Sequence, residues 1–339
     1  MVVRATSDLH LSGPTEDLVF AALGELRADA EATGGHTVIA GDVFDQGVTV
    51  HMPTWNRLRD LLHAWPGEVF VIAGNHDQYP GGDNCLRGLA CDRVEVVSAP
   101  TATIVGPMVP YVRPGSFEMA VQRALEAQRD RFLGVSPRVL WCHQGFKGAY
   151  LNSMRRDPDG VSPGAVPAGH ITIAGHYHMP QNLGPLVYCG SPYETTFAEE
   201  GQGKGWLRWA DIDNDAMPAR VPFAYGYPRH HTIRWDPAAG PPPTVDSSAN
   251  DRVRVVTCAT RREADAAADQ LTKAGLGGVP VIAVADVDGG RGVVDPGADP
   301  RTAAEQFAIA RFVADAGPGY DPVDMQEFAD EETLWAAFS

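Results

Sequence analysis

Short apolar runs alternate with longer segments of helical periodicity through the first part of the chain. The runs at residues 2–5, 37–40, 69–72, 94–98, 101–105, 138–142 and 171–174 predict strands. Apolar residues recur every three or four positions from near residue 15 to residue 30, and helices are also predicted over 53–64 and 117–132. Strands that alternate with helices in this way predict an α/β fold.

The pattern changes after about residue 210. A proline-rich stretch at 235–243 and a polar stretch at 246–250 predict a linker, and segments 252–258, 261–274 and 279–285 predict a β-α-β unit. We therefore expect a first domain over 1–215, a small α+β domain with its linker over 216–290, and a helical tail over 291–339. The apolar end of that tail, 334–338, is expected to dock on its own domain or on a partner.

Five polar blocks follow the strand-like runs. They are Asp-Leu-His at 8–10, Gly-Asp-Val-Phe-Asp at 41–45, Gly-Asn-His-Asp at 74–77, His-Gln-Gly at 143–145 and Gly-His-Tyr-His at 175–178. In an open α/β sheet, ligands bind beyond the carboxyl ends of the strands. Where such strands run parallel in one sheet, the five blocks meet in one region.

The residue types in these blocks are those of a two-metal site. Asp8 and His10 are two positions apart, and on an extended chain we expect both side chains to point the same way and to hold one cation. The carboxylate of Asp42 can bridge two cations about 3.5–4 Å apart, and the amide oxygen of Asn75 suits a hard divalent ion. The blocks contain no cysteine, which favours Mn²⁺, Fe²⁺ or catalytic Zn²⁺ over structural zinc. The candidate metal ligands are Asp8, His10, Asp42, Asn75, His143, His176 and His178.

Each block alone also has a purely structural interpretation. An aspartate after a strand often caps a helix, and a Gly-Asp pair is usually a turn. A single histidine is more often a core or surface residue than a ligand. The occurrence of all five blocks at strand ends in one chain favours the metal site.

Charge and cysteine content restrict the partners and the compartment. The formal net charge of −16 disfavours unaided nucleic-acid binding, because such binding rests on neutralising phosphates; bound cations or a basic partner would offset it. No apolar run approaches the ~18 residues of a membrane span, and the amino terminus lacks a signal-peptide pattern. We expect a cytoplasmic protein without membrane contact, located in the host cytoplasm if a phage encodes it.

The scattered cysteines, without a Cys-x-x-Cys pair, indicate reduced thiols: Cys85, Cys91, Cys142, Cys189 and Cys258.

In this order the blocks resemble those of the calcineurin-like metallophosphoesterase superfamily, over about residues 1–205. The resemblance implies a metallophosphoesterase β-sandwich flanked by helices, followed here by the small α+β domain as a cap. It also implies two divalent metal ions, with Mn²⁺ expected first and Fe²⁺, Zn²⁺ or Mg²⁺ as alternatives. One metal would be held by Asp8, His10 and His178, the other by Asn75, His143 and His176, with Asp42 as the bridge.

The resemblance also implies a reaction. A hydroxide that bridges the two metals would attack phosphorus in a phosphoester. His76 would protonate the leaving oxygen or stabilise the transition state, and Asp77 would orient the imidazole of His76.

A further stretch resembles one branch of this superfamily, the SbcD-type DNA-repair nucleases in their phage-sized version. The stretch consists of Gly-Ser-Pro-Tyr at 190–193, then Phe197, Glu199 and Lys-Gly at 204–205. The resemblance implies a metal-dependent DNA exonuclease and endonuclease in DNA repair, recombination or replication. Its partners would be DNA and an SbcC-type coiled-coil ATPase bound by the C-terminal tail, and it can also form a homodimer.

Two alternatives stay open at this point. The acidic charge suits a small-molecule phosphodiesterase or phosphatase better than a nuclease, and both would use the same metal site. The segment 146–169 has few basic residues besides Lys147, Arg155 and Arg156, which an interpretation as solvated loop explains better than phosphate contact. A non-catalytic scaffold is the other alternative, but it requires loss of ligands that this sequence retains.

Overall fold

The computed structural model describes residues 1–79, 83–132, 138–151, 156–214, 217–235, 240–241, 251–258, 268–271, 273 and 281–284. The chain divides into two compact units. The first comprises Met1–Tyr193 and Gln202–Tyr227, and the second comprises Glu194–Gly201 and Pro228–Ser339. Among the helices of the described residues, none has the length and apolar character needed to cross a membrane.

Within the described residues, the first unit contains three α-helices and most of the strands. The helices are α1 (Glu16–Thr33), α2 (Met52–His63) and α3 (Phe117–Phe132). The strands are β1 (Val3–Thr6), β2 (His36–Ile39), β3 (Val69–Ile72), β4 (Gln78–Tyr79), β5 (Asp83–Asn84), β6 (Val94–Val97), β7 (Thr101–Thr103), β8 (Gly106–Val109), β9 (Val139–His143), β10 (Ile171–Gly175), β11 (Gln181–Leu183), β12 (Leu186–Tyr188), β13 (Gly205–Trp209) and β14 (Ala219–Pro222).

Two six-stranded sheets of this unit pack face to face. The first has the order β14-β13-β1-β2-β3-β6 and the second has the order β11-β12-β10-β9-β8-β7. The strands at the centre of each sheet are parallel, and both of their faces are buried, which is why the runs at 69–72 and 171–174 are continuously apolar. The core between the sheets includes Val38, Ile72, Trp141 and Ile173.

Helices cover the outer faces of the sandwich. Leu23 and Leu26 of α1, together with Leu58 of α2, belong to one core cluster on the first sheet. Ala120 and Ala124 of α3 belong to a cluster on the second sheet. The predicted α/β fold, a sandwich flanked by helices, is therefore confirmed.

A buried arginine ties α1 to the central strand of the first sheet. Arg4 lies in β1, where Val3 and Ala5 point into the core between the sheets, so its side chain points to the opposite face. There its guanidinium donates to Asp29 (2.9 Å) and to the carbonyl of Gly34 just beyond the end of α1 (2.7 Å). These bonds satisfy one of the unpaired carbonyls at the helix end and fix α1 against β1.

The second unit contains a parallel three-stranded sheet. Its strands are β15 (His230–Arg234), β16 (Arg252–Cys258) and β17 (Val281–Val284), and residues 268–271 are helical. The parallel pairing of β16 with β17 is the arrangement that a β-α-β unit produces, whereas β15 was not predicted. Most of the predicted linker, most of the helix predicted over 261–274, and the whole tail at 291–339 lie outside the described residues.

Candidate metal centre

The five polar blocks meet at one end of the sandwich. β1, β2 and β3 are parallel neighbours in the first sheet, and β9 and β10 are parallel neighbours in the second. His143, the last residue of β9, bonds through Nδ1 to the carbonyl of Ala40, which follows β2, at 2.8 Å. The carboxyl ends of both sets of strands therefore open onto the same region, and the side chains of all the candidate ligands lie there.

The first cluster consists of Asp8, His10 and His178, whose ligand atoms all lie within 4.8 Å of one another. The Nε2 atoms of His10 and His178 are 2.9 Å apart. Two nitrogens that each lie about 2.0–2.1 Å from one metal at a right angle would be separated by about 3 Å. The spacing of the two imidazoles thus fits a shared divalent cation.

The second cluster consists of Asp42, His143 and His176, with Asn75 beside them. Asn75 Oδ1 lies 3.1 Å from His143 Nε2 and 2.9 Å from His176 Nδ1. A carbonyl oxygen can only accept a hydrogen bond, so the bond to Ala40 places a proton on His143 Nδ1 and turns Nε2 toward the cluster. The oxygen and nitrogen donors of this cluster fit a borderline or hard divalent cation.

The carboxylate of Asp42, a member of the second cluster, also approaches the first. Its Oδ2 is 3.2 Å from His143 Nε2 and 4.0 Å from His10 Nε2, while Oδ1 accepts from the backbone N–H of His76 at 2.9 Å. Burial alone would raise the pKa of Asp42, but His143, His10 and His76 lower it well below its usual range. Asp42 is therefore ionised and lies within 4.0 Å of histidines from both clusters.

The two histidines around Asn75 differ in protonation. Burial, together with the neighbouring His143, lowers the pKa of His176 to about 4, which keeps its lone pair available at neutral pH. Burial also opposes protonation of His143, but the charge of Asp42 raises its pKa to about 9. A proton on His143 thus balances the buried carboxylate where a bound cation would otherwise do so.

The backbone is strained at the candidate ligands. Among the described residues, the non-glycine positions with positive φ are Asp8 (52°), His10 (44°), Asp42 (50°) and His176 (100°), all of them candidate ligands. Such conformations cost of order 1–3 kcal/mol each and persist at functional sites where the surroundings impose them. The strain therefore marks this centre independently of its side-chain chemistry.

Two glycines allow the strand ends to approach each other. A Cβ atom on Gly41 would lie 2.1 Å from Nδ1 of His143, and one on Gly74 would lie 2.1 Å from Oδ1 of Asp42. Neither position can carry a side chain without displacing a candidate ligand.

The structure gives the carboxylate of Asp77 partners other than the His76 ring that it was predicted to orient. The fully buried carboxylate of Asp77 accepts from the backbone N–H groups of Val43, Phe44 and Gly74, at 2.9–3.0 Å. Burial and the charge of Asp42 raise the pKa of Asp77 to about 6, against the effect of these bonds. Asp77 therefore joins the second and third blocks through their backbones.

His76 is oriented instead by Asp45, a residue for which no role was predicted. Nδ1 of His76 bonds to the backbone carbonyl of Asp45 at 2.8 Å, while the Asp45 carboxylate lies 3.4 Å from Nδ1 of His10. The hydrogen bond with His10 lowers the pKa of Asp45. Asp45 thus contacts both histidines, and its place in the second polar block was the only sequence signal for this.

Three residues of the stretch at 190–205 contact the loops that carry candidate ligands. Lys204 is only 2% exposed, and its ammonium donates to the carbonyl of His178 and to Ser191 Oγ, both at 2.9 Å. The hydroxyl of Tyr193 donates to the carbonyl of Leu9 at 2.8 Å. Ser191, Tyr193 and Lys204 therefore hold the loops that carry His10 and His178.

Other residues named in the sequence analysis, Phe197, Glu199 and Arg156, contact nearby residues of the protein. In the second unit, Glu199 accepts from the backbone N–H of Thr195, and Phe197 packs against His230 with ring centroids 4.6 Å apart. Arg156 lies over the ring of Tyr150 at 4.2 Å and donates to the carbonyl of Gly148. Arg155 lies outside the described residues.

The chain is similar to a known protein family and to solved structures. The family model "Calcineurin-like phosphoesterase" matches residues 1–180. Among solved structures, the chain is similar to Yfce, a phosphoesterase from E. coli, with 16% sequence identity and a TM-score of 0.34. That similarity covers 66% of this chain and 100% of the other. No curated protein matches the sequence significantly.

Proposed function

Because the chain belongs to the calcineurin-like phosphoesterase family, we propose that it hydrolyses phosphodiester bonds with the help of two divalent cations. Asp8, His10 and His178 would hold one cation, and Asn75, His143 and His176 would hold the other. Asp42, which belongs to the second cluster and approaches His10 of the first, would contact both cations. When bound, two such cations neutralise charge on the phosphate and lower the pKa of water toward about 7.

The orientation of His76 supports the proposal that this residue protonates the leaving oxygen of the phosphoester. Its Nδ1 donates to the carbonyl of Asp45, so the Nε2 edge of the ring is the one able to reach a substrate. The ring also lies 4.9 Å from that of His10, in an edge-to-face arrangement. In its protonated form, His76 gives the Nε2 proton to the leaving oxygen as the P–O bond breaks, and the ring becomes neutral.

DNA is the substrate that we propose for this centre. The support comes from the stretch at 190–205 and its resemblance to SbcD-type nucleases. The net charge of −16 means that duplex binding would depend on the cations and on a basic surface supplied by a partner. We propose an SbcC-type ATPase as that partner, Mn²⁺ as the metal, and action in cytoplasmic DNA repair, recombination or replication.

The acidic charge specifically favours one alternative, a small-molecule phosphodiesterase or phosphatase acting on cyclic nucleotides or nucleotides. A small substrate needs only the metal centre and not a long basic track. Both proposals share the same ligands and the same role for His76, so they differ only in the substrate.

The experiment compares the purified chain on linear duplex DNA, single-stranded DNA, cyclic nucleotides and nucleotides, each with Mn²⁺ and with chelator. Degradation of DNA that requires Mn²⁺ supports the nuclease, whereas turnover of cyclic nucleotides with inert DNA supports the alternative. His76→Gln should retain both cations and lose about 10²–10⁴-fold in rate on poor leaving groups. It should lose much less on nitrophenyl esters, whose leaving oxygen needs no proton; an equal loss on both would remove the proposed proton donor.

A further inference from the structure

Tyr111 lies in the loop that follows β8, at the same end of the sandwich as the metal centre. β8 is parallel to β9, so this loop leaves the second sheet beside His143. Its backbone is fixed on both sides: Tyr111 N donates to the carbonyl of Ala73 (2.8 Å), and Gln78 Nε2 donates to the carbonyl of Tyr111 (2.9 Å). Ala73 and Gln78 flank the Gly-Asn-His-Asp block, so Tyr111 is held in register with that block.

The ring of Tyr111 covers two candidate ligands. It stacks on His176 with ring centroids 5.9 Å apart and an interplanar angle of 27°, and it meets His143 edge-on at 6.3 Å. Both distances fall within the range of about 4.5–7 Å for interacting aromatic rings. The phenol therefore forms part of the wall of the metal centre.

The hydroxyl of Tyr111 is not used by the fold. The side chain is partly exposed, and within the described part of the chain its hydroxyl makes no hydrogen bond. A phenol has an ordinary pKa of about 10, so it is protonated at neutral pH and has a hydrogen bond to donate.

The candidate metal ligands leave room for such a donor. Carboxylates and neutral imidazoles turn lone pairs toward the cations, which would neutralise charge on the phosphate, so the ligands themselves offer its non-bridging oxygens no hydrogen bond. A phosphate oxygen accepts strong hydrogen bonds from neutral or charged donors. Arg113, exposed and two residues further along, adds positive charge next to Tyr111.

We propose that Tyr111 is a substrate-binding residue whose hydroxyl donates a hydrogen bond to a non-bridging oxygen of the phosphodiester. The inference rests on the proposed function and deepens it, because it assigns the phosphate-recognising group of the same centre. The ring and the hydroxyl have separable roles: the ring packs against His176 and His143, and the hydroxyl meets the substrate.

The test uses the full chain, loaded with Mn²⁺, and the variants Tyr111→Phe, Tyr111→Leu and Tyr79→Phe. Tyr79 is the matched control, a partly exposed tyrosine three residues after His76. Each protein is measured for cation stoichiometry, for affinity toward inorganic phosphate by calorimetry, and for kcat and KM on bis(p-nitrophenyl) phosphate. Tyr111→Phe should keep both cations and lose about tenfold in phosphate affinity and in kcat/KM, as expected for a hydrogen bond to a charged group.

The outcomes separate this inference from the proposed function. Unchanged phosphate affinity in Tyr111→Phe would overturn it, as would loss of a cation in that variant, which would assign the hydroxyl a structural role. Wild-type protein that binds two cations and phosphate but turns over no phosphodiester would remove the proposed function while the phosphate measurement still decides the role of Tyr111. Tyr111→Leu should lose phosphate affinity and also weaken cation binding, since it removes the ring. Tyr79→Phe should match the wild type in every measurement.

Discussion

His143 donates its Nδ1 proton to the backbone carbonyl of Ala40 over 2.8 Å, and this bond connects the two sheets of the sandwich at the metal centre. It determines which ring nitrogen faces the centre, because a carbonyl cannot donate. Ala40 directly precedes the Gly-Asp pair that carries Asp42, so one strand end supplies both the candidate bridging ligand and the group that orients His143. Orienting partners of this kind set the geometry of metal ligands as much as the ligands themselves.

Replacing His143 should remove one cation. His143→Gln keeps a polar side chain of similar length but loses the Nε2 ligand, so we expect metal analysis after dialysis to fall from two bound Mn²⁺ ions per chain toward one. Activity should fall by more than the roughly 10–100-fold typical of an outer-shell partner. His63→Gln, in α2, is the control and should bind both ions. Retention of two ions at wild-type affinity by His143→Gln would contradict the ligand assignment.

A methyl group at residue 74 should disable the centre. In Gly74→Ala the new Cβ would meet Asp42 Oδ1 at 2.1 Å, so the carboxylate must move and cation affinity should drop. The control is Gly24→Ala in the middle of α1, where nothing lies within 4 Å of the added carbon. That change should raise the free energy of unfolding by about 0.5–1 kcal/mol, because alanine favours a helix over glycine. Titration calorimetry and urea unfolding measure the two effects.

Lys204 should matter for stability as well as for cation binding. Lys204→Met leaves the carbonyl of His178 and the hydroxyl of Ser191 without this donor, and we expect a loss of about 1–3 kcal/mol in the free energy of unfolding. Cation affinity should weaken at the cluster that contains His178. Lys147→Met removes an exposed lysine and should change stability by less than about 0.5 kcal/mol. Equal behaviour of the two variants in urea unfolding would show that the buried ammonium has no bracing role.

The cysteines should differ sharply in reactivity. Cys85, Cys91, Cys142 and Cys189 are all free thiols, as expected from the sequence, and Cys91 is the exposed one among them. Burial raises the pKa of Cys189 to about 12 and also raises that of Cys142, so neither forms the reactive thiolate at neutral pH. Mass spectrometry after brief native alkylation should find the label on Cys91 and none on Cys142 or Cys189. Rapid labelling of Cys142 would indicate that the sandwich opens readily.

The central strands and the candidate ligands could be predicted because one signal supports both. A buried parallel strand must be apolar, and a polar block at its end therefore stands out, as at Asp8 after β1 and Asp42 after β2. The helix over Phe117–Phe132 was predicted with its observed bounds from periodicity alone. The helix predicted from near residue 15 has Thr15 at its N-cap position, but the Thr15 hydroxyl donates to the carbonyl of His10 rather than capping the helix.

The elements that were missed depend on contacts distant in sequence. The run at 101–105 was predicted as one strand, yet β7 ends at Thr103 and β8 begins at Gly106. The indole of Trp141 donates to the carbonyl of Val105 in the turn between these strands, at 2.8 Å. Because Trp141 lies outside the run, the residue pattern of 101–105 cannot predict this turn. The burial of Lys204 could not be predicted either. Lysine is rarely buried, so no residue pattern predicts that its ammonium lies inside the protein.

The bracing by Lys204 also has a consequence for how the protein matures. Lys204 immediately precedes β13, which pairs antiparallel with β1 and contributes Trp209 opposite Val3. Strand β1 can pair with β13 only after about two hundred further residues have been synthesised. Such long-range pairing forms late in folding. A ribosome-bound chain that has emerged only as far as His178 carries every candidate ligand but lacks the lysine that secures the last loop. Tight cation capture should therefore coincide with the docking of β13, so that hydrolytic competence is acquired only after the first unit has been translated almost to its end.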